Sequence, residues 1–338
     1  MLPNKTIVFT EPYKLELQDL EIPPLKENEV LVKIARTAIS SGTERANFIG
    51  DPNVSILAGP VAIYPRIVGY SSSGVVEAVG EAVTSVKPGD RVACSWSKHA
   101  QYCVVRESRV YKLPDNISFD AGALVHIATF SSAAIRKCRL EFGEPAMVMG
   151  LGILGLLAVA LLKSAGAAPI IAVDPVSEKR EQALRLGADY AISPFDPDFS
   201  ERVKEITGGG VSVAIEVTGK GAGLDSALDC MKKFGRIALL GCTRSSDFTI
   251  DYYRKVHGPG ITLIGAHTMA RPDANSSSGM WTESDDAKAI LRLASMGRID
   301  LDQFVEKIYS PSDAQEVFMR LANEPSFPIV EFDWSKFK

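Results

Sequence analysis

The sequence predicts an α/β protein with two parts, a barrel-like β domain and a doubly wound parallel sheet that carries helices on both faces. Three observations support this prediction. The chain has 338 residues, which suggests about two domains of roughly 150 residues each. Short apolar segments separated by turn residues occupy its first 115 residues. After residue 118, strand-like and helix-like segments alternate. We expect residues 1–120 and 270–338 to form the first domain and residues 121–269 the second.

Five short segments predict the strands of the β domain. Each is apolar or β-branched, and turn signals such as Lys87-Pro88-Gly89-Asp90 stand between them. Short strands at this spacing are typical of a barrel. The predicted strands are Thr6–Phe9, Glu29–Ile34, Gly74–Val79, Arg91–Cys94 and Tyr102–Val105.

Alternating strands and helices predict the parallel sheet, because a crossover helix joins each pair of parallel strands. The predicted helices have apolar residues at helical spacing; they are Ser118–Lys137, Leu154–Ser164, Ser177–Leu186, Phe199–Ile206 and Leu224–Met231. The predicted strands are Ala146–Met149, Pro169–Val173, Tyr190–Ile192, Val213–Glu216, Arg236–Leu240 and Ile261–Gly265. The tail predicts helices Glu283–Met296 and Pro311–Ala322, with Ser310 as N-cap of the latter, and a last strand Pro328–Phe332.

Composition excludes several classes of protein. Hydrophobic residues make up 46% and charged residues 23% of the chain, the net charge is −4, and the cations are scattered. Neither a nucleic-acid partner nor a membrane partner is expected. The N-terminus lacks the apolar core of a signal peptide, so we expect a cytoplasmic protein. Five cysteines at wide spacing, without a C-x-x-C motif, disfavour both a disulfide framework and a structural zinc site.

A glycine-rich loop predicts a nucleotide site. Gly150-x-Gly152-x-x-Gly155 follows an apolar strand and opens a helix, which is the setting that a dinucleotide-binding loop requires. Gly150 permits a tight turn, Gly152 lets a pyrophosphate approach the backbone, and Gly155 lets helix and strand pack closely. The N–H groups at the helix start, including those of Ile153 and Leu154, favour an anion.

Asp174 indicates which dinucleotide binds. It ends the segment IIAVD, nineteen residues after Gly155. A carboxylate there accepts hydrogen bonds from both ribose hydroxyls of NAD and repels the 2′-phosphate of NADP. Lys179 and Arg180 lie one helical turn further on and are the nearest cations that would favour NADP.

Two later strand ends place small residues at the edge of the sheet where ligands bind in this kind of fold. Thr218 and Gly241 are therefore candidate walls of a nicotinamide site, and plain strand-to-loop turns are the alternative interpretation.

Four segments together resemble the medium-chain dehydrogenase/reductase superfamily, which includes the zinc alcohol dehydrogenases. Ala38–Glu44 resembles its C-G-T-D segment, and Val68–Ser71 resembles its G-H-E segment. Glu77–Val92 is similar to its V-x-x-V-G-x-x-V-x-x-x-x-x-G-D-x-V stretch, and Arg185–Asp189 resembles its LGAD segment. The resemblance covers nearly the whole chain. It implies a GroES-like β-barrel catalytic domain and a Rossmann NAD-binding domain.

The chain departs from this family at the residues that bind zinc. In zinc members the ligands include the cysteine of C-G-T-D, which is Ser41 here, and the histidine of G-H-E, which is Tyr70. The glutamate that follows this histidine in the family is replaced by Ser71 here. A third ligand in the family comes from the segment matching Gly122–Thr129, where His126 is the best match. Hydroxyl and phenol groups are poor zinc ligands beside thiolate and imidazole. We therefore predict no metal.

Without a metal, side chains must remove the alcohol proton and stabilise the charge that develops on its oxygen. The candidates are Tyr70, His126, Ser41, Thr43 and Lys98 with its neighbour His99. Each also has a structural interpretation. Tyr70 would be a packing residue, His126 a core histidine on an apolar helix, Ser41 and Thr43 parts of a turn bonded to its own backbone, and Lys98 with His99 a solvated loop.

Three functions are compatible with these residues. The first is a zinc-independent, NAD-dependent oxidoreductase acting on an alcohol or ketone, with a polyol or sugar-like substrate because the cleft residues are rich in hydroxyl groups. The second is an enoyl or quinone reductase, and the third is a nucleotide-binding protein without redox turnover. Self-association as a homodimer or homotetramer is also expected. The segment Phe248–Tyr253 and the predicted edge strand Ile261–Gly265 resemble the region through which relatives dimerise.

Overall fold

The computed structural model describes residues 4–54 and 63–337. Contacts divide the chain into two compact units: Met1–Ile127 with Ala287–Lys338, and Ala128–Asp286. Both boundaries fall inside helices, at α2 (Phe119–Lys137) and α7 (Glu283–Ser295). The predicted α/β architecture with two different kinds of sheet is confirmed. Among the described residues, no helix is both long and apolar enough to cross a membrane.

The first unit is built on two sheets. A three-stranded sheet has the order β2-β1-β4, and a seven-stranded sheet has the order β15-β16-β3-β5-β6-β8 with β7 paired to β3. The strands are β1 (Asn4–Glu11), β2 (Lys14–Leu20), β3 (Glu29–Ala38), β4 (Arg66–Ile67), β5 (Ser71–Val79), β6 (Arg91–Ser95), β7 (Tyr102–Arg106), β8 (Val110–Lys112), β15 (Lys307–Tyr309) and β16 (Val330–Asp333). All five strands predicted for this region are present.

Two helices pack on these sheets, α1 (Ser41–Ile49) and α8 (Ala314–Asn323). Their aromatic residues meet those of β1. The ring of Phe9 lies 5.2 Å from that of Phe48 and 4.9 Å from that of Phe318, in edge-to-face arrangements that favour both packing and orientation. The predicted helix Pro311–Ala322 begins as a 3-10 turn, and the hydroxyl of Ser310 accepts the backbone N–H of Ser312, which confirms the predicted cap.

The second unit is a six-stranded, all-parallel sheet with the order β11-β10-β9-β12-β13-β14. The strands are β9 (Ala146–Met149), β10 (Ile170–Val173), β11 (Tyr190–Ile192), β12 (Val211–Glu216), β13 (Met231–Leu239) and β14 (Thr262–Gly265). The crossover helices are α3 (Ile153–Ala165), α4 (Ser177–Leu186), α5 (Phe199–Thr207) and α6 (Gly221–Asp229). Strand order reverses between β9 and β12, and in such sheets ligands bind at the carboxyl edge of that point.

Helix α3 approaches strand β9 more closely than any side chain would allow. A β-carbon at Gly155 would lie 1.9 Å from the carbonyl oxygen of Gly150. At Gly152 the same addition would meet no atom within 4 Å, and its φ of −70° suits any residue. One glycine of the motif is therefore required for packing, whereas the other leaves space open.

We expect Gly155→Ala to destabilise the protein and Gly152→Ala to leave its stability nearly unchanged. The alanine at 155 must displace backbone, which costs about 1–3 kcal/mol and lowers Tm by roughly 2 °C or more. Thermal unfolding followed by circular dichroism measures both variants. Equal melting temperatures for the two would contradict this account of α3 packing.

Candidate functional site

The loop between β9 and α3 forms a cradle at the strand-order reversal. Gly150 has a φ of +99°, a conformation that favours glycine. A β-carbon there would lie 3.0 Å from Cγ2 of Thr218, so the ends of β9 and β12 line one crevice. Gly152 is the N-cap of α3, followed by Ile153 and Leu154. Open space at Gly152 and the N-terminal N–H groups of α3 suit a pyrophosphate.

Asp174 follows strand β10 and is buried beside this cradle. Its Oδ2 accepts the N–H of Leu151 at 2.8 Å, and its Oδ1 accepts the N–H of Val176 at 2.9 Å. Each carboxylate oxygen can accept a further hydrogen bond, so ribose hydroxyls remain possible donors. The guanidinium of Arg180 donates to the carbonyl oxygen of Asp174 at 2.7 Å. One of its N–H groups is therefore already used on the backbone beside the cradle. Lys179 is partly buried in α4.

The ends of β12 and β13 form the next part of the crevice. Glu216 is buried, and burial raises its pKa, while hydrogen bonds from Thr218 and Gly219 oppose that rise. The N–H of Thr218 donates to Oε1 of Glu216 at 2.8 Å. A β-carbon at Gly241 would lie 2.3 Å from the amide nitrogen of Gly219, so these two loops pack backbone against backbone. Taken together, the glycine cradle and Asp174 fit a dinucleotide.

Strand pairing in the first unit places Trp96 beside Tyr70. Ser71 of β5 pairs with Ser95 of β6, and the N–H of Trp96 donates to the carbonyl oxygen of Tyr70 at 2.7 Å. Their ring centroids are 6.2 Å apart. Trp96 has a φ of +59°, which is uncommon for a residue other than glycine and occurs often at functional sites.

Helix α2 carries His126 to the same two rings. The imidazole lies 5.6 Å from the ring of Tyr70 and 5.1 Å from that of Trp96, and it is 1% exposed. The hydroxyl of Ser71 donates to the carbonyl oxygen of Ala123, which ties α2 to β5. Tyr70, Trp96 and His126 are therefore a cluster, and two of its three members were predicted as site residues.

Sequence reasoning missed Trp96. It lies two residues before the predicted Lys98–His99 pair, but only the register between β5 and β6 shows that it adjoins Tyr70. The guanidinium of Arg109 lies 5.5 Å from the Trp96 ring, close enough for a cation–π contact.

Ser41 and Thr43 begin helix α1, so the interpretation as a turn was wrong for both. Both side chains are partly buried, and the carbonyl oxygen of Thr43 accepts the amide of Asn47 at 2.8 Å. Thr37 of β3 pairs with Ser72 of β5. The start of α1 and Tyr70 therefore lie just beyond the same end of this strand pair.

Lys98 and His99 differ sharply in their surroundings. Lys98 is exposed at the surface, and partial desolvation lowers its pKa; Arg66 contributes to that decrease, whereas Cys103 and Glu44 oppose it. His99 is 0% exposed and bonds to Glu44 and Thr37. The prediction of a solvated loop was therefore wrong for His99.

The donor set around Tyr70 does not fit a catalytic zinc. Of the residues at the family's ligand positions, only His126 carries a strong ligand for zinc, and the hydroxyl of Ser71 is used on Ala123. Across residues 4–54 and 63–337 there is no group of three or more His, Cys, Asp or Glu side chains that could hold a metal ion.

Comparison with known proteins agrees with the architecture of both units. Residues 26–137 match the family "Alcohol dehydrogenase GroES-like domain", and residues 154–282 match "Zinc-binding dehydrogenase". The (R,R)-butanediol dehydrogenase of Bacillus subtilis (strain 168) is 31% identical over 343 residues, covering 92% of this chain and 94% of the relative. The sorbitol dehydrogenase of the same organism is 28% identical over 278 residues, covering 73% of this chain and 77% of the relative.

A solved structure gives the same result for the fold. Benzyl alcohol dehydrogenase from Acinetobacter calcoaceticus superposes with a TM-score of 0.84 at 23% identity, covering 98% of this chain and 99% of that chain. The predicted combination of a GroES-like domain and a Rossmann domain is confirmed. The chain is an alcohol dehydrogenase-like oxidoreductase that belongs to the medium-chain dehydrogenase/reductase superfamily.

Proposed function

We propose that this protein is a zinc-independent, NAD-dependent dehydrogenase that interconverts an alcohol and a ketone on a polyol or sugar-like substrate. The observation that carries the proposal is the cluster of Tyr70, Trp96 and His126. Two of its members, Tyr70 and His126, match positions of metal ligands in zinc relatives. A phenol and an imidazole can supply the hydrogen bond and the proton acceptor that the reaction needs.

The proposed reaction removes a hydride and a proton from one carbinol. Bound NAD supplies the hydride acceptor. The carbinol O–H proton passes, as the carbonyl forms, either to the neutral imidazole of His126 while the Tyr70 hydroxyl donates to the substrate oxygen, or to Tyr70 in its phenolate form. In the reverse direction the same group returns the proton to the ketone oxygen. Imidazole is suited to this exchange because its ordinary pKa lies near neutral pH.

The remaining predicted residues are assigned to substrate and cofactor. Ser41 and Thr43, at the start of α1, are proposed to bind further substrate hydroxyls, and Lys98 is proposed to bind a substrate oxygen. Relatives named for sorbitol and butanediol support a substrate with neighbouring hydroxyl groups. Gly150, Gly152, Ile153, Leu154 and Gly155 are proposed to hold the pyrophosphate; Asp174 and Lys179 border the adenosine ribose, and Thr218 and Gly241 border the nicotinamide. A homodimer or homotetramer located in the cytoplasm is proposed as the form of the protein.

The first test is oxidation of a panel of polyols, sugars and simple alcohols with NAD after treatment with a strong chelator. Because the proposed proton acceptors are side chains, we expect turnover to survive the chelator. Formation of reduced nicotinamide is followed by absorbance. Activity lost with the chelator and restored by zinc would contradict the zinc-independent mechanism. Turnover of enoyl or quinone substrates alone would favour the double-bond reductase.

Substituting Asp174 tests the choice of cofactor. We expect Asp174→Asn to weaken NADH binding about tenfold and to reduce discrimination against NADPH, since the repelling charge is removed. Fluorescence titration with both reduced cofactors measures this change.

Two variants control the Asp174 test. Asp189→Asn is the matched control, because Oδ2 of Asp189 also accepts a backbone N–H, that of Ile170 at 2.7 Å, at the opposite end of β10. It should leave both affinities unchanged. Gly152→Ala should instead weaken both cofactors by filling the space proposed for the pyrophosphate. Unchanged preference in Asp174→Asn would refute the proposed role of this carboxylate.

Two substitutions test the proton-transfer groups. We expect Tyr70→Phe, which keeps the ring packing, and His126→Gln to lower kcat about 100-fold, the usual contribution of a general acid or base. The variant that removes the base should also lose the acidic limb of the pH–rate profile. Steady-state kinetics across a pH series measures both effects, and Tyr102→Phe on β7 is the control. Wild-type rates in both site variants would rule out the assigned roles.

A further inference from the structure

We propose that a buried hydrogen-bonded chain of Glu44, His99, Thr37 and Trp334 positions the segments that carry the proposed catalytic groups. Its four members are positioning residues, and the inference rests on the proposed function of Tyr70, Ser41 and Thr43. All four belong to the first unit but come from different elements: α1, the loop after β6, β3 and the segment after β16.

The hydrogen bonds between the four side chains are short and form a continuous series. Nε2 of His99 lies 2.7 Å from Oε2 of Glu44, and Nδ1 of His99 lies 2.7 Å from Oγ1 of Thr37. The indole N–H of Trp334 donates to the same Oγ1 at 2.9 Å. His99 is 0% and Glu44 2% exposed. Their polar side-chain atoms are bonded to Thr37, Ser40 and each other, so we assign them to positioning.

Donor and acceptor chemistry gives the chain a consistent direction. An indole N–H only donates, so Thr37 accepts from Trp334 and keeps its own hydroxyl proton for Nδ1 of His99. In this tautomer Nε2 carries the imidazole proton, and its N–H donates a hydrogen bond to the Glu44 carboxylate. Every polar group in the chain has a partner in this arrangement, and buried networks of that kind favour a single conformation.

Glu44 connects the chain to the start of helix α1. Its Oε1 accepts the N–H of Ser40 at 2.9 Å, and Ser40 is the N-cap of α1. The side chain of Ser40 makes no capping bond, so the carboxylate satisfies one of the N–H groups that a helix start leaves open. Ser41 and Thr43 follow directly in the first turn. The orientation of these two hydroxyl groups therefore depends on Glu44.

His99 connects the other end of the chain to Tyr70. Its backbone N–H donates to the carbonyl oxygen of Val68 at 2.9 Å. Gly69, with a φ of +93°, packs against His99 so closely that a β-carbon would lie 2.6 Å from the His99 nitrogen and 2.9 Å from Cδ2 of the ring. Tyr70 is the next residue. The imidazole thus supports the backbone from which the Tyr70 side chain projects.

The test compares variants that break the chain with one that preserves it. Thr37→Val keeps the side-chain shape but removes both hydrogen bonds of Oγ1, and Glu44→Ala removes the link to α1. In Glu44→Gln the amide oxygen still accepts from Ser40, and its NH₂ donates to Nε2 once His99 carries its proton on Nδ1. The Nδ1–H then donates to Oγ1 of Thr37, which can accept it beside the N–H of Trp334. Glu44→Gln is therefore the conservative rescue variant.

We expect Thr37→Val and Glu44→Ala to lower kcat about tenfold or more when kcat is normalised to the concentration of cofactor-binding sites. Small misplacements of reacting groups lower reaction rates by factors of this order. The KM for NAD should stay within about twofold, because the cofactor residues lie in the second unit, and Glu44→Gln should recover most of kcat. Asp286→Asn is the matched control. Asp286 is also 0% exposed and accepts hydrogen bonds from Arg136 and Ser132 within the second unit.

Hydrogen exchange measured by mass spectrometry keeps the positioning inference separate from the proposed function. In Thr37→Val and Glu44→Ala, peptides covering residues 39–49 and 66–72 should exchange faster, whereas in Asp286→Asn they should match the wild type. Faster exchange in a protein that turns over no alcohol would support the positioning chain and reject the function. Unchanged exchange in both peptides, or unchanged kcat per site in an active enzyme, would overturn the positioning role.

Discussion

The pairing of strand β5 with β3 on one side and β6 on the other is the constraint on which the candidate site depends. The pairs Thr37–Ser72 and Ser71–Ser95 bring the start of α1 and Trp96 to the same end of the sheet as Tyr70. A slip of one residue would turn every side chain of β5 to the opposite face. The hydroxyl of Ser71, which holds α2 through Ala123, would then no longer bring His126 against the Tyr70 ring.

In the second unit, glycines allow the backbone segments around the proposed pyrophosphate cradle to pack closely. Gly150, Gly155 and Gly241 each lie where a β-carbon would meet neighbouring atoms, whereas Gly152 leaves its space open. Small residues thus allow close packing around a cradle, and Asp174 adds a negative group at its border. The two units carry different chemical groups: backbone donors and a carboxylate in one, and hydroxyl, phenol and imidazole groups in the other.

The polar side chains near the candidate site in the first unit fall into two classes, buried and partly buried. His99 and Glu44 are buried and hydrogen-bonded to each other, so we assign them a positioning role. Ser41, Thr43 and Tyr70 are only partly buried. Ser41, Tyr70 and Ser71 stand where zinc relatives have cysteine, histidine and glutamate, which fits this division, because hydroxyl groups can bind a substrate directly where thiolate and imidazole would bind a metal.

The sequence by itself determined the fold class, the order of the two kinds of sheet and the glycine loop with Asp174. These features depend on local periodicity and short spacings, which are visible along the chain. It did not show helix α1, and it assigned His99 to solvent. Tertiary structure alone decided that Trp96 adjoins Tyr70 and that His99 is enclosed by Glu44, Thr37 and Trp334. Glu44 and His99 are 55 positions apart along the chain, and strand pairing brings them together through contacts that no local pattern encodes.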